Sequence, residues 1–566
     1  MSAESFWGWG YADRFPDYET RREFADRLER ELGFPEREIR EPPTLGACTV
    51  PESTLSPPAD LEDVLGADRE SRLRHTYGKS YPDLLRGFEG AFGPAPDLVA
   101  RPRDEDDVAA ILDWASEESV AVVPFGGGTS VVGGVEPDLT GRGALDFEHA
   151  RERSTGEYSG VVSMSMDNFD SVLEVDSHSR RAKVQAGMYG PALNDALAEE
   201  GLQLRHYPQS YEFSTVGGWI ATRAGGHFTT VYTHIDDFVQ SVRAVTPAGA
   251  LETRDVPASG AGPDPNRFLL GSEGAFGVIT EAWLDVQPRP PYRASASVHF
   301  EDFWDGVEAV RELVQARLYP ANCRLLDPME VLINEVTDDG SSVLVLGFES
   351  LDHPVDEDLD RALDICSRHD GHCPDGPRYE TPADSDDGHG SDAADARDAA
   401  DEADESDAAG EWRNSFFEGP YLFNQLVSMG VIVDTFETAV TWDRFPDLHA
   451  ALKREVVSAM GEACGMGVLS CRFTHAYPSG PAPYYTLLAP AERGRELEQW
   501  QHIKSTASDV LMEYGATITH HHAVGRVHRD WYEREAPDAY LSALRSMKRT
   551  LDPEGIMNPG ALLEPR

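Results

Sequence analysis

The feature that most constrains this chain is a run of three glycines followed by two hydroxyl residues, Pro124-Phe125-Gly126-Gly127-Gly128-Thr129-Ser130. Backbone N–H groups in such a run can converge on an anion because no Cβ stands in the way. A pyrophosphate is the ligand that this arrangement favours. The run lacks both the Lys-Ser/Thr ending of a triphosphatase loop and the G-x-G-x-x-G spacing of a dinucleotide fingerprint. Because glycine-rich runs also form plain tight turns, other parts of the chain must decide its role.

The residues before the loop predict where it lies. Residues 104–119 carry apolar side chains at helical spacing, and Val120–Phe125 is a short apolar run. Together they predict a helix followed by a buried strand. The loop then stands at the end of that strand, where α/β units commonly place ligands.

Charge and cysteine content restrict the partners of the protein. The 566 residues include 49 basic and 100 acidic side chains, for a net charge of −51 at pH 7, and only five of the basic residues are lysines. Such a surface is typical of a halophilic protein and disfavours nucleic acid and anionic membranes as partners. The six cysteines form no C-x-x-C pair, which predicts a reduced, cytoplasmic setting. We expect no signal peptide and no membrane-spanning segment, and peripheral membrane contact stays open.

Changes in composition divide the chain into four segments. We expect a helical N-terminal extension over residues 1–93, a first domain over 94–290, a second domain over 291–490 and a C-terminal segment over 491–566. The run Pro288-Arg289-Pro290-Pro291 marks the change between the two domains. Residues 384–407 are rich in acidic residues among Ala, Ser and Gly, and they predict a solvated, disordered insertion.

Three further motifs accompany the glycine loop. Residues 214–224 read STVGGWIATRA, residues 271–280 read GSEGAFGVIT, and residues 552–560 read DPEGIMNPG. In this order the four motifs resemble those of the flavin-binding vanillyl-alcohol oxidase superfamily. The resemblance implies an α+β fold, with a two-subdomain PCMH-type FAD-binding domain and an α+β cap domain with a helical C-terminal segment.

The same resemblance implies which residues contact FAD. By position these are Pro124, Phe125, Gly126, Gly127, Gly128, Thr129, Ser130, Pro208, Ser214, Thr215, Gly217, Gly218, Ala221, Thr222, Glu273, Gly274, Gly277, Val278 and Ile279. Some members of the superfamily attach the flavin to a histidine inside the glycine loop. No histidine stands there in this sequence, so we expect non-covalent FAD.

Within the superfamily the sequence is most similar to the alkyldihydroxyacetonephosphate synthase family. The supporting motifs include WGWG at residues 7–10, FET at 436–438, WDR at 442–444 and HHHAVG at 520–525. That family exchanges the acyl chain of acyl-dihydroxyacetone phosphate for a fatty alcohol through a flavin N5 adduct, a redox-neutral step that makes an ether lipid. The resemblance therefore implies an oxidase-family transferase with a small-molecule substrate, and we expect a homodimer.

Catalytic roles are implied by the same likeness. It implies Tyr484 as the acid/base, Arg324 as an organising residue, and a position near the flavin for His520, His521 and His522. A phenol has a pKa of about 10 and needs nearby positive charge or a flavin anion to exchange protons near neutrality. We expect Arg324 and Arg472 to supply that charge.

Two other interpretations of the histidine run stay open, a metal site and a structural cluster. If the run lies on a strand, His520 and His522 share one side and His521 takes the other. No cysteine or paired carboxylate accompanies the run, so we expect no metal.

One position departs from the synthase pattern. The synthases carry a phosphate-contacting arginine in a segment before the FET motif, and this chain has Phe423 in that segment. A phosphate group that faces phenylalanine loses a bidentate partner. This departure leaves the substrate open.

The alternative function is that of an FAD-linked 2-hydroxy acid dehydrogenase of the D-lactate and glycolate type. Members of that branch usually show a HAGDGN-type metal motif and an EHG motif. At the corresponding places this chain has HAYPSG at residues 475–480 and THHHAVG at 519–525, which favours the synthase-like branch. A non-enzymatic flavin-binding protein is a further alternative, but it would not need Arg324, Tyr484 or the histidine run.

Overall fold

The computed structural model describes residues 4–137, 139, 158–228, 230–337, 339–381 and 408–564, with the backbone alone for 408–417. Within these ranges the chain forms three β-sheets with helices packed against them. The predicted acidic insertion at 384–407 lies outside the described residues. None of the described helices is long and apolar enough to cross a membrane.

The strands follow one another along the chain as β1 (Leu65–Gly66), β2 (Leu98–Ala100), β3 (Val120–Phe125), β4 (Gly160–Ser165), β5 (Val172–Asp176), β6 (Arg181–Gln185), β7 (Val239–Thr246), β8 (Gly249–Glu252), β9 (Val278–Asp285), β10 (Tyr292–Phe300), β11 (Asn322–Leu326), β12 (Ser342–Ser350), β13 (Arg378–Glu380), β14 (Val431–Glu437), β15 (Val468–Tyr477) and β16 (Gly480–Pro490).

The helices are α1 (Tyr18–Leu32), α2 (Arg69–Arg74), α3 (Tyr81–Phe88), α4 (Glu105–Glu118), α5 (Gly190–Ala198), α6 (Val216–Thr222), α7 (Phe303–Gln315), α8 (Pro328–Ile333), α9 (Asp356–Arg368), α10 (Ala408–Ser428), α11 (Phe445–Cys464), α12 (Glu496–Glu513), α13 (Arg529–Glu535) and α14 (Asp538–Leu551).

The first sheet has the order β1-β2-β4-β3, and β2, β4 and β3 run parallel. Strand β3 has the bounds predicted from the sequence, and α4 buries its apolar face against this layer. The glycine loop begins at the carboxyl end of β3, as predicted. Residues 556–558 lie on the other side of β3, where Val122 N–H donates to Ile556 O at 2.8 Å and Asn558 N–H donates to Val122 O at 2.8 Å. The C-terminal motif therefore completes the sheet that carries the loop.

The second sheet has the order β5-β6-β9-β7-β8 and is antiparallel. Helix α6, formed by the second motif, packs on it through Trp219 and Ile220, both at most 1% exposed. The third motif leads directly into β9. Residues of both motifs line one cavity together with Gly126 and Ser130 of the glycine loop.

The third sheet has seven antiparallel strands in the order β13-β10-β12-β11-β15-β16-β14. Its register pairs Tyr484 of β16 with Glu437 of β14 on one side and with Arg472 of β15 on the other. Residues directly opposite each other in antiparallel strands point to the same face. The three side chains therefore form a row across the sheet, which faces the glycine loop.

The N-terminal residues reach across the molecule to α10. The Asn424 side chain accepts from Trp9 N–H and donates to Trp9 O, both at 2.9 Å. Gly10 has a φ of +64°, and a Cβ at this position would lie 2.4 Å from the Tyr421 ring. The glycine spacing of the WGWG motif is therefore required for this segment to dock.

Candidate active site

One cavity of about 190 Å³ joins the glycine loop to the third sheet. The loop contributes Gly126–Ser130, and the third sheet contributes Arg324, Arg472 and Tyr484. His521 and His522 also line it. The other lining residues that the sequence assigned to FAD are Pro208, Ser214, Thr215, Gly218 and Thr222.

A second cavity of about 90 Å³ lies on the other side of the loop and shares Gly126, Ser130 and Thr215 with the first. It is lined by the remaining residues assigned to FAD: Pro124, Phe125, Gly217, Ala221, Glu273, Gly274, Gly277, Val278 and Ile279. Every residue assigned to the cofactor from the sequence thus lines one of two adjoining cavities.

The glycine loop fits a cofactor because its glycines leave no room for side chains. A Cβ on Gly127 would lie 1.8 Å from Phe213 O, and a Cβ on Gly126 would lie 2.3 Å from Thr215 Oγ1. The loop backbone therefore packs directly on the segment that leads into α6. This close packing forms a cradle lined by backbone groups, as an extended dinucleotide with a pyrophosphate requires.

Tyr484 is buried in the row across the third sheet. The Arg472 guanidinium carbon lies 3.8 Å from the centre of the Tyr484 ring, and Arg472 also forms a buried ion pair with Glu330 of α8. Burial raises the pKa of Tyr484, and the charge of Arg472 opposes only part of that rise. The positive charge expected beside the phenol is present, but burial outweighs it.

Arg324 enters the cavity from β11 and donates from Nη2 to His227 O at 2.9 Å. Burial, together with the nearby charge of Arg472, lowers the pKa of Arg324 to about 9. Arg324 and Arg472 are the only side chains of Lys, Arg, Asp or Glu among the described residues that line this cavity. An anionic group of a substrate would therefore meet these two arginines.

The histidine run does not form a strand, so the predicted alternation of its faces is wrong. Residues 518–523 form a loop that bends around the carboxylate of Glu437. That carboxylate accepts from the N–H groups of His520, His521 and His522, the latter two at 3.1 and 2.7 Å, and from Thr519 Oγ1 at 2.6 Å. In a strand, these N–H groups would point alternately toward the two neighbouring strands. Here all three donate to the Glu437 carboxylate.

This loop separates the three imidazoles. His520 lies behind the cavity wall, where its Nε2 is 2.6 Å from the Tyr477 hydroxyl and its Nδ1 is 3.1 Å from His521 Nδ1. His522 packs edge-on against the Tyr484 ring, with 5.4 Å between ring centres. Burial lowers the pKa of His521 to about 3 and that of His522 to about 4.

Glu273 joins the third motif to the histidine loop. Its carboxylate accepts from Val524 N–H at 2.9 Å and from Gly525 N–H at 2.7 Å, and its carbonyl accepts from Asn558 Nδ2 at 2.6 Å. Glu273 therefore holds the C-terminal segment against the cavity assigned to the cofactor. Burial raises its pKa to about 7, although the two backbone N–H groups favour the charged form.

Two family models match this chain. The model described as "FAD binding domain" matches residues 96–254, and the model described as "FAD linked oxidases, C-terminal domain" matches residues 289–562. The predicted fold class, an α+β FAD-binding domain followed by a second domain, is confirmed. FAD is the cofactor of this family.

Comparison with single proteins defines the family more closely. The alkyldihydroxyacetonephosphate synthase of Dictyostelium discoideum is 30% identical over 507 residues, which cover 89% of this chain and 79% of that protein. The chain belongs to the alkyldihydroxyacetonephosphate synthase family. The synthase of Trypanosoma brucei brucei is 28% identical over 529 residues, with the same coverage of both chains. A solved structure of an alkyldihydroxyacetonephosphate synthase superposes with a TM-score of 0.75 at 24% identity and covers 98% of both chains, which supports the fold.

Three residues of this synthase-family site were not assigned from the sequence. Glu437 anchors the histidine loop, Glu330 pairs with Arg472, and His475 lies beside His520 and His521. Glu437 stands inside the FET motif, so the motif itself was a signal for it. His475 begins the HAYPSG segment, which the sequence comparison with the dehydrogenase branch had already pointed to, whereas nothing local marks Glu330.

Substitution of Glu437 by glutamine should disable the site while leaving FAD bound. The side-chain amide has one acceptor oxygen, and its NH₂ group would face backbone N–H donors that the carboxylate now satisfies. We expect turnover to fall at least about tenfold, with faster hydrogen exchange at residues 519–524. Glu535→Gln is the matched control, since exposed Glu535 accepts from Ile518 N–H at 2.8 Å at the start of the same loop. Equal losses in the two variants would contradict an anchoring role specific to Glu437.

The raised pKa of Glu273 predicts a stability that depends on pH. A carboxyl whose folded-state pKa of about 7 exceeds its ordinary value of 4.5 contributes its full stability below the lower value and loses it as the pH rises through the higher one. Between about pH 5 and about pH 8, the free energy of unfolding of the natural protein should fall by roughly 3 kcal/mol more than that of Glu273→Gln. Unfolding followed by flavin fluorescence across this range measures the difference. Parallel pH profiles for the two proteins would show that Glu273 does not titrate there.

Proposed function

We propose that this chain holds FAD non-covalently and exchanges the acyl group of an acylated dihydroxyacetone phosphate for an alkyl group. The product is the alkyl-dihydroxyacetone phosphate after which the synthases of its family are named. One observation carries the proposal. Tyr484, Arg472 and Arg324 line the same cavity as the glycine loop, although they come from three strands of another sheet. The FAD residues assigned from the sequence line that cavity and its neighbour.

Each group has a role that follows from its contacts. FAD, when bound, supplies the ring system at which a substrate carbon is held while one oxygen substituent replaces another. Tyr484 moves the proton: its phenol donates to the departing acyl oxygen, and the resulting phenolate accepts the proton of the incoming alcohol. Arg472 lies against the Tyr484 ring and favours the ionised phenol, and Glu330 fixes Arg472 in that position. Because a phenol with a raised pKa holds its proton at neutral pH, Tyr484 begins the cycle as the acid.

The head group of the substrate is bound without an arginine at position 423. Phe423 lines the cavity together with Gly419 and Pro420 of α10, so this wall is apolar. Among the described lining residues, the charged side chains that remain for a phosphate are Arg324 and Arg472. The apolar wall instead suits the hydrocarbon chain of an acyl or alkyl group.

Anaerobic mixing tests the proposal against its alternative, a 2-hydroxy acid dehydrogenase. With acyl-dihydroxyacetone phosphate and a fatty alcohol we expect release of one fatty acid per ether product, with the flavin oxidised at the end. With D-lactate or glycolate we expect no lasting change in the flavin spectrum. Bleaching by a hydroxy acid that persists without an electron acceptor would overturn the proposal and establish the alternative.

Non-covalent binding has a direct test. Acid precipitation of the purified yellow protein should release all of the flavin into the supernatant, because no histidine stands in the glycine loop to form a covalent bond. Absorbance of the supernatant and of the redissolved pellet measures the distribution. A pellet that stays yellow after repeated washing would contradict this part of the proposal.

The proposal also includes the setting of the enzyme. We infer a cytoplasmic homodimer with four segments, bounded at residues 93, 290 and 490, and a surface adapted to high salt. The net charge of −51 and the five lysines support the adaptation. Because salt screens repulsion between acidic groups, the unfolding temperature should rise with salt concentration.

A further inference from the structure

Strand β15 brings a third imidazole to the histidine loop. One ring nitrogen from each of His475, His520 and His521 lies within 4.8 Å of the other two. His475 is 1% exposed, and within the part of the chain that the structure describes neither of its ring nitrogens has a hydrogen-bond partner. Burial of an imidazole with both nitrogens unsatisfied costs free energy unless a ligand binds to it. The ring nitrogens of this cluster are therefore placed to bind something between them.

One distance within the cluster is close to the ligand spacing around a small ion. His520 Nδ1 and His521 Nδ1 are 3.1 Å apart. Two imidazoles bound to a tetrahedral ion at about 2.0–2.1 Å have their nitrogens about 3.3 Å apart. The other nitrogen of His520 lies 2.6 Å from the Tyr477 hydroxyl, which is the kind of outer partner that orients a metal-binding histidine.

The charge around the cluster also favours a cation. Glu437 is 1% exposed and lies 3.9 Å from His521 Nδ1. Among the described residues, its ion-pair contacts are with His521 and His522, and no lysine or arginine pairs with it. A positive ion held by the cluster would lie close to this buried carboxylate and be stabilised by it.

We propose that His475, His520 and His521 bind a divalent transition-metal ion of the zinc class. Three imidazoles without a thiolate suit zinc and its neighbours in the first transition row better than magnesium or calcium, which prefer oxygen ligands. His475 and His521 line the active-site cavity, so the cluster borders it. An ion there would polarise an oxygen atom of a bound molecule. This goes beyond the proposed function, which assigns no metal.

The metal content of the holoenzyme tests this inference. Protein purified without a histidine tag is dialysed against metal-depleted buffer with added Zn²⁺, freed of excess ion, and measured by mass spectrometry together with its flavin content. We expect about one zinc per chain in the natural protein and at least a tenfold loss in His475→Ala, with FAD retained. His449→Gln is the control, because His449 is a buried histidine outside the cluster whose Nδ1 lies 3.1 Å from the Tyr485 hydroxyl. It should keep its zinc.

A second measurement covers the case in which His475→Ala does not fold. Co²⁺ added to the metal-free natural protein should produce ligand-field absorption at wavelengths beyond the flavin bands. Flavin-loaded protein that binds neither Zn²⁺ nor Co²⁺ would overturn the proposal, as would full zinc binding by folded His475→Ala. Neither measurement depends on the substrate. The proposed function can therefore fail while the metal site is confirmed, and the metal site can fail while the proposed function is confirmed.

Discussion

Substitution of Gly127 by alanine is expected to yield a folded protein with a much lower affinity for FAD. The new Cβ would lie 1.8 Å from Phe213 O and 3.1 Å from Ser214 Cα, and both of these are backbone atoms. Because backbone cannot move aside as a flexible side chain can, the loop must shift away from the segment that leads into α6. We expect FAD affinity to fall at least about 100-fold, which corresponds to about 3 kcal/mol. Fluorescence titration of the flavin-free protein with FAD measures the loss.

A matched substitution distinguishes this local effect on the loop from a general effect of replacing glycine by alanine. Gly461 lies within α11, and a Cβ there would have no atom within 4 Å. Gly461→Ala should bind FAD normally and be slightly more stable, because alanine favours a helix over glycine. Normal FAD affinity in Gly127→Ala would show that the loop is not the cofactor cradle.

Substitution of Tyr484 by phenylalanine is expected to abolish turnover while the flavin spectrum stays in place. The change removes only the phenol oxygen, so the ring still packs against Arg472 and His522. General acid/base groups commonly contribute about 10²- to 10⁴-fold to a rate, and we expect a loss in this range. Fatty acid release under the conditions that test the proposed function is the measurement.

The adjacent residue provides the control for Tyr484. Tyr485 lies on the same strand but faces the opposite side of the sheet, where its ring stacks on Phe436 and its hydroxyl lies 3.1 Å from His449 Nδ1. Tyr485→Phe removes the same atom from a buried core position and should cost stability without loss of turnover. Full activity in Tyr484→Phe would remove that residue from the mechanism.

The residues assigned to FAD could be proposed from the sequence because the information that marks them is local. Strand β3 and the glycine loop are contiguous in the chain, and glycine and hydroxyl residues mark backbone that approaches a ligand closely. Two further motifs carry the same local signal at residues 214–224 and 271–280. The sheets then bring these segments together around two adjoining cavities.

The histidine run shows the limit of that reasoning. Periodicity treats His520, His521 and His522 as strand residues with alternating faces, but a carboxylate on another strand captures their backbone N–H groups. The residues around the histidine run do not indicate a partner that is so distant in the sequence. The burial that raises the pKa of Tyr484 was likewise not predicted, because burial depends on the packing of the whole domain.

By itself, the sequence determined the α+β class and the family, and it marked the glycine-rich motifs, since each depends on residues that are neighbours in the chain. Only the tertiary structure decided how the catalytic candidates meet. Glu437, Tyr484 and Arg472 form one row because the register of three antiparallel strands aligns them. The same sheet brings His475 to the histidine loop. Strand register is set by contacts between distant parts of the chain, and for this reason the geometry of the site could not be read from the sequence.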